Sequence, residues 1–207
     1  MTGHLPGRPI VRNGDVFFTA SPGATAELPL PFRIAGRLPL LVEAPRPRVA
    51  VLGFGLGAVA ALMLAARPGA RLVGVEPDED LLAAIPESLR SRVALEHLDA
   101  LSFLRVTRRR FDLVFDDCFV LAGSDAIRPP ELACHAEPVA RTLSPGGIYV
   151  RNLLPHSGRP VSDQTADLRR RFPTVALRVF RDWENVFALA RDRSLPSGWR
   201  RRLRATS

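Results

Sequence analysis

The chain has 207 residues, of which 46% are apolar, and this is enough to bury one sizeable hydrophobic core. No apolar run approaches the roughly 20 residues of a membrane-spanning helix, and the first residues lack the apolar segment of a signal peptide. The net charge of +8 arises from 29 arginines, without any lysine. We therefore expect a cytoplasmic protein that does not contact a membrane.

The first 46 residues are rich in proline and glycine, and they predict a short N-terminal extension. Within it, a strand is predicted at DVFFTA and a helical lead-in at FRIAGRLPLLVEA. Residues 47–191 then predict a single domain, and residues 192–207 form an arginine-rich tail.

Strand-like and helix-like segments alternate from Arg48 onward. Buried strands are predicted at RVAVLGF, ARLVGVE, RVALEHL, FDLVFDD and IYVRNLL. Helices are predicted at GAVAALMLAAR, DEDLLAAI, ALSFLRV, PPELACHAEPVARTL and SDQTADLRRRF, and SPGG is a turn. The last two strands, TVALRVF and NVFALAR, are joined by a link too short for a crossover helix, so they must form an antiparallel hairpin. The pattern predicts an α/β fold with a seven-stranded, mostly parallel sheet and helices on both faces.

Three glycines follow the first of these strands at every second position: Gly53, Gly55 and Gly57, together called the glycine turn. Glycine adopts positive φ and lets a ligand approach the backbone closely. Open α/β sheets bind ligands at the carboxyl ends of their strands, where Glu76 also ends the second strand. A carboxylate at that position can accept hydrogen bonds from a ribose diol. The alternatives are a tight turn without a ligand and a solvated acid at the end of a strand.

The same segment satisfies the dinucleotide fingerprint G-x-G-x-x-A through Ala58. A nicotinamide enzyme is disfavoured because only about 150 residues follow the glycines, which leaves no room for a separate substrate domain. The antiparallel hairpin at the end of the sheet and the LSPGG segment before the fifth strand count against it as well.

Six segments occur in the order typical of one family: VAVLGFGLGA, LVGVEPDEDLL, LDALSFL, FDLVFDD, LSPGGIYVRNLLP and NVFALAR. Over residues 48–191 the chain resembles spermidine synthases and their bacterial homologues, a branch of the class I S-adenosylmethionine-dependent methyltransferase superfamily. The resemblance implies a Rossmann-like sheet that binds S-adenosylmethionine or its decarboxylated form. The implied activity is transfer of a methyl or an aminopropyl group.

The resemblance also implies roles for single residues. The glycine turn would lie against the adenosyl compound, and Glu76 would hold its ribose. Asp99 and Ala100 would lie at the adenine, with Asp99 binding the amino group, although Asp99 also suits the N-cap of the next helix. Asp117 would lie beside the sulfonium and orient or deprotonate the attacking amine. Asp116 should face the opposite side of its strand.

Two departures from the family concern the acceptor. Leu56 and Val120 stand where spermidine synthases usually carry aspartates that hold the amino groups of the substrate, and Tyr149 is the only tyrosine. We therefore expect a small-molecule acceptor other than putrescine, while a homodimer stays an open alternative to a monomer. Arg151 and Asn152, in the fifth strand, are candidates for facing the cleft.

The remaining features leave alternatives open. The histidines and cysteines show no metal-ligand spacing, so no metal site is predicted. The segment from Arg191 to the end of the tail holds six arginines, which can bind phosphates, but a solvated, frayed end is favoured. A non-catalytic adenosyl-binding protein is one alternative function. A nucleic-acid methyltransferase is another, which the tail permits but no NPPY-type motif supports.

Overall fold

The computed structural model describes residues 10–12, 15–17, 28–122, 125–128, 135–154, 160–180 and 185–204. The strands in these ranges are β1 (Ile10–Arg12), β2 (Asp15–Phe17), β3 (Arg48–Leu52), β4 (Arg71–Val75), β5 (Val93–Glu96), β6 (Phe111–Asp116), β7 (Val120–Ala122), β8 (Asp125–Ile127), β9 (Leu143–Leu153), β10 (Thr174–Val179) and β11 (Val186–Arg191). The helices are α1 (Leu30–Gly36), α2 (Ala58–Ala66), α3 (Glu79–Ala84), α4 (Glu87–Arg90), α5 (Ala100–Val106), α6 (Ala136–Thr142), α7 (Val161–Gln164), α8 (Ala166–Arg171) and α9 (Trp199–Arg202), with a 3₁₀ turn at Leu38–Leu41.

Seven strands form one sheet in the order β10–β11–β9–β6–β3–β4–β5. The strands from β9 to β5 pair in parallel, whereas β11 pairs antiparallel with both of its neighbours. The predicted fold class, with its C-terminal antiparallel hairpin, is therefore confirmed. After β5 the chain returns to the other side of β3, so β3 and β6 flank the topological switch point of the sheet.

Helices cover both faces of this sheet. Val49 and Val51 of β3 belong to a core shared with α1, α2 and α9, while Ala50 and Leu52 belong to a core shared with α5, α6 and α8. Successive side chains of a strand point to opposite faces, so a strand covered on both sides must be apolar at every position. This requirement explains why the inner strands β3 and β4 are continuous apolar runs.

The N-terminal segment contains the expected elements. The strands β1 and β2 pair antiparallel, and α1 packs against α2. Residues 1–9, 13–14 and 18–27 lie outside the described part of the chain, and the division into extension, domain and tail stays a prediction. Every helix in the described part is too short or too polar to span a bilayer.

Some elements differ from those predicted. The turn predicted at SPGG belongs to β9, whose register against β6 shifts and whose Gly146 has a φ of 71°. One predicted helix is divided at Thr165 into α7 and α8, and the hydroxyl of Thr165 donates to the carbonyl of Val161 there. The hairpin formed by β7 and β8 was not predicted. The helix predicted around Pro138 is described only from residue 135, and Pro138 lies in the first turn of α6, where no N–H is needed.

The C-terminal segment corrects one expectation. Residues 192–204 are not a solvated, frayed end, because Leu203 is fully buried and Trp199 is 9% exposed. Both side chains join the core that contains α1 and the 3₁₀ turn. The guanidinium of Arg202 donates to the carbonyl of Leu40 at 3.2 Å, and Arg37 donates to the carbonyl of Arg202 at 3.0 Å. The arginines of α9 are thus exposed, while the apolar side chains of Trp199 and Leu203 pack into the core.

Candidate active site

The carboxyl ends of four neighbouring strands meet at one edge of the sheet. Gly53 follows β3, Glu76 follows β4, Asp117 follows β6, and Asn152 lies near the end of β9. The backbone N–H of Asp117 donates to the carbonyl of Leu52 at 2.9 Å, which extends the pairing of β3 with β6. The sheet thus brings together residues that are up to 99 positions apart in the chain.

The glycine turn requires glycine at all three positions, because Gly53, Gly55 and Gly57 have φ values of 74°, 53° and 80°. At Gly53 there is a second reason, since a Cβ atom would lie 2.6 Å from the carbonyl oxygen of Asp117. Gly57 forms the N-cap of α2, and Leu56 beside it is buried. The turn therefore has the positive φ values for which glycine was predicted, and its contact with a ligand stays a prediction.

Glu76 is buried and supports this turn. Its Oε2 accepts the N–H of Gly55 at 2.8 Å, and its Oε1 accepts the N–H of Asp78 at 3.2 Å. Burial raises the pKa of Glu76, against the lowering effect of these backbone donors. A carboxylate has about four acceptor positions, so both oxygens retain capacity for a ribose diol. The residues therefore fit an adenosyl ligand.

Asp99 is the N-cap of α5, as the sequence predicted. Its carboxylate accepts the N–H of Ser102 at 2.8 Å at the start of α5, and the hydrogen bonds from Ser102 lower its pKa. The side chain is exposed and follows β5, the strand next to β4, whereas Ala100 is buried. Asp99 thus lies at the same edge of the sheet as Glu76, and its contact with adenine stays a prediction.

Asp117 is half-buried and begins a row of three hydrogen-bonded side chains. The Nδ2 of Asn152 donates to the Oδ1 of Asp117 at 2.7 Å, and the Nδ2 of Asn185 donates to the Oδ1 of Asn152 at 3.2 Å. Burial raises the pKa of Asp117 to about 6, although the bond from Asn152 lowers it. The carboxyl is thereby a stronger base than an ordinary aspartate.

A cavity of about 260 Å³ opens beside this row. Its lining residues come from α1, α2 and the ends of β6, β9 and β11, and they are Pro31, Phe32, Ala35, Val59, Phe115, Asp117, Phe119, Asn152, Leu154, Asn185 and Phe187. The glycine turn and Glu76 are not among them. Asp117 therefore lies between two regions, the bare backbone turn on one side and a largely apolar cavity on the other.

Solved structures relate this arrangement to known proteins. Human methyltransferase-like protein 13, solved with S-adenosylhomocysteine, matches with a TM-score of 0.65 and 19% identity over 86% of this chain and 93% of its own. A probable spermidine synthase from Corynebacterium glutamicum matches with a TM-score of 0.69 and 21% identity, over 86% of this chain and 71% of its own. The chain has the class I methyltransferase fold.

A third structure with this fold is the T. thermophilus 16S rRNA N2 G1207 methyltransferase, solved with S-adenosylmethionine and guanosine. Its TM-score is 0.61 at 20% identity, over 90% of this chain and 50% of its own. No model of a protein family and no curated protein matches the sequence. Identities near 20% establish the fold and leave the acceptor open.

In this methyltransferase fold, Asp116 faces away from Asp117, as predicted, and enters a buried network. Its Oδ2 pairs with Arg128 and accepts the hydroxyl of Tyr149. Burial alone would raise the pKa of Asp116, but the charges of Arg128 and Arg151 outweigh it and lower the pKa to about 2. Asp116 is therefore ionised at neutral pH and holds the buried network together.

Arg151 belongs to the same network and not to the cleft, which corrects its candidacy there. Its guanidinium binds Asp167 through two hydrogen bonds of 2.8 Å, and its Nε donates to the hydroxyl of Tyr149 at 3.0 Å. Asn152, the next residue, points to the other face and lines the cavity. Among the residues that the structure describes, no group of three histidines, cysteines or acids could hold a metal ion.

Proposed function

We propose that the protein is an S-adenosylmethionine-dependent transferase that moves a methyl group to a small-molecule acceptor. The observation that carries this proposal is the position of Asp117, between the glycine turn supported by Glu76 and the cavity. Two neighbours of this fold were solved with adenosyl compounds, which supports the same ligand here.

The glycine turn and Glu76 would hold the ribose, and Asp99 would bind the adenine amino group. When bound, the sulfonium compound supplies an electrophilic methyl carbon and a neutral thioether as leaving group. Asp117 would accept a proton from the acceptor at Oδ2, because its Oδ1 already accepts a hydrogen bond from Asn152. With a pKa of about 6, the carboxyl is mostly ionised at neutral pH and can act as a general base.

Aminopropyl transfer from decarboxylated S-adenosylmethionine is the second candidate, favoured by the similarity to the probable spermidine synthase. The buried Leu56 favours methyl transfer, since spermidine synthases usually have an acid at this position that holds the amino groups of the substrate. Native mass spectrometry of the purified protein would show which adenosyl compound remains bound.

The binding test is a thermal-shift titration with S-adenosylmethionine and S-adenosylhomocysteine. At 100 times its dissociation constant, a ligand adds about 2.7 kcal/mol to the free energy of unfolding. Glu76→Ala should lose most of this stabilisation, whereas Glu79→Ala, a nearby exposed acid, should keep it. Stabilisation by NAD but not by either adenosyl compound would refute the proposal.

A further inference from the structure

We propose that the cavity beside Asp117 binds a small, neutral aromatic compound through one nucleophilic hydroxyl group. This inference rests on the proposed function, because Asp117 is the same carboxylate. It names the substrate class, which the fold leaves open.

The walls of the cavity favour an aromatic ring. Four phenylalanines line it, and two of them, Phe115 and Phe187, are fixed by an edge-to-face contact with 5.6 Å between their ring centres. Aromatic rings pack favourably against each other in such offset or edge-to-face arrangements. A cavity of about 150 Å³ holds benzene, so the volume of about 260 Å³ suits one ring with its substituents.

The polar row fixes where the hydroxyl binds. Because Asn185 donates to the amide oxygen of Asn152, the NH₂ group of Asn152 is directed at the Oδ1 of Asp117. None of the described residues donates a hydrogen bond to the Oδ2 of Asp117. An acceptor hydroxyl can donate to that oxygen, while its own oxygen atom keeps the lone pair that attacks.

The charge of the cavity disfavours polyamines. Asp117 is the only ionisable side chain among the lining residues that the structure describes. One ammonium group could pair with it, but none of the other described lining residues could pair with the second ammonium of a diamine, and an ammonium held in the cavity without an acidic partner costs several kcal/mol. An alkylammonium paired with Asp117 also has no lone pair with which to attack.

The methyl transfer to such a hydroxyl needs only S-adenosylmethionine and the Asp117 carboxylate as proton acceptor. The hydroxyl proton passes to the Oδ2 of Asp117. The acceptor oxygen forms a C–O bond with the methyl carbon while the electron pair of the C–S bond returns to sulfur. The products are an aryl methyl ether and S-adenosylhomocysteine, and Asp117 afterwards releases its proton to water.

The experiment measures binding of four probes by isothermal titration calorimetry, in the presence of saturating S-adenosylhomocysteine. Phenol and catechol carry the hydroxyl, toluene has the ring alone, and putrescine is the diamine. We expect phenol and catechol to bind at least about tenfold more tightly than toluene, which corresponds to about 1.4 kcal/mol for the hydroxyl. We expect no measurable binding of putrescine.

Two variants test the polar row. Asn185→Leu removes the bond that orients Asn152 and should weaken phenol binding several-fold relative to toluene binding. Asn185→Asp adds a carboxylate beside the row and should confer measurable binding of putrescine. S-adenosylhomocysteine binding, measured first for every variant, should stay within about twofold, because Asn185 lies in the cavity and not at the glycine turn.

The results distinguish a failure of the proposed transferase function from a failure of the aromatic-acceptor proposal. Absence of S-adenosylhomocysteine binding would refute the proposed function itself. Intact S-adenosylhomocysteine binding together with tighter binding of putrescine than of phenol, or with no binding of any hydroxylated probe at millimolar concentration, would overturn this inference alone. Equal affinity for phenol and toluene, unchanged in Asn185→Leu, would also overturn it. Formation of anisole from phenol and S-adenosylmethionine, detected by mass spectrometry, would support it directly.

Discussion

Replacing Asp117 with Asn should stabilise the protein at neutral pH although it removes the base. The carboxyl has an ordinary pKa of 3.8 and a folded-state pKa of about 6. This rise is worth about 3 kcal/mol at about 1.4 kcal/mol per tenfold change, and solvent screening of the half-buried group reduces it to roughly 1–2 kcal/mol. An asparagine can still accept the hydrogen bond from Asn152, so only the buried charge is lost.

The stabilisation expected from Asp117→Asn depends on pH. The penalty for burying the Asp117 carboxylate is complete above about pH 6 and disappears as the pH falls towards 3.8, because the folded state then binds the proton. Asp117→Asn should therefore raise the melting temperature by roughly 2–8 °C near neutral pH. The gain should largely vanish at about pH 4. Differential scanning calorimetry of both proteins across this range measures the difference.

Asp116→Asn is the matched comparison, and it should have the opposite effect. It removes one acidic partner of the buried Arg128 and Arg151, which should cost about 3–5 kcal/mol. Since the pKa of Asp116 is lowered to about 2, its contribution is complete above 3.8 and is lost only as the pH falls towards 2. If Asp117→Asn destabilised the protein by the same amount near pH 7 and near pH 4, the argument from buried charge would be wrong.

Gly53→Ala should lower the stability by more than about 1–2 kcal/mol, because it combines a left-handed φ with a clash against the Asp117 carbonyl, and urea unfolding measures this. Asp99→Ala should lose about 1 kcal/mol of helix capping, whereas Asp99→Ser keeps the cap. Titration with S-adenosylhomocysteine should show weaker binding for both Asp99 variants, and unchanged affinity in Asp99→Ser would exclude the contact with adenine. Leu203→Ala should lower the free energy of unfolding, measured in urea, by about 2–5 kcal/mol, whereas Arg204→Ala, at the exposed neighbouring position, should change it little. Equally small effects of the two substitutions would contradict the docking of α9.

The fold was predictable because its determinants are local. The inner strands β3 and β4 are covered on both faces, so each appears in the sequence as an unbroken apolar run. The glycine turn was predictable because no other residue type adopts its three positive φ values without strain. The docking of α9 had a local signal too, the apolar pair Trp199 and Leu203 at helical spacing, but the arginines between them suggested a solvated segment.

The cavity could not be predicted, because it depends on contacts between distant segments. Asn185 and Asn152 are 33 positions apart, and their hydrogen bond requires the register in which β11 pairs with β9. Phe32 reaches the cavity only because α1 lies beside α2 at the end of the sheet. Nothing in the sequence near Arg151 indicates that its partner is Asp167 in α8 and not a ligand.

The docking of α9 against the 3₁₀ turn affects how the chain folds during its synthesis. Leu40 and Arg202, which share a hydrogen bond, are 162 positions apart. At the usual 5–20 residues per second, a ribosome needs roughly 10–30 seconds to make the intervening chain. Throughout this interval the apolar side chains of Leu38 and Leu41, fully buried in the finished protein, lack the cover that α9 provides. The nascent chain therefore keeps these apolar side chains incompletely covered until α9 has been made, and exposed apolar surface of this kind favours aggregation.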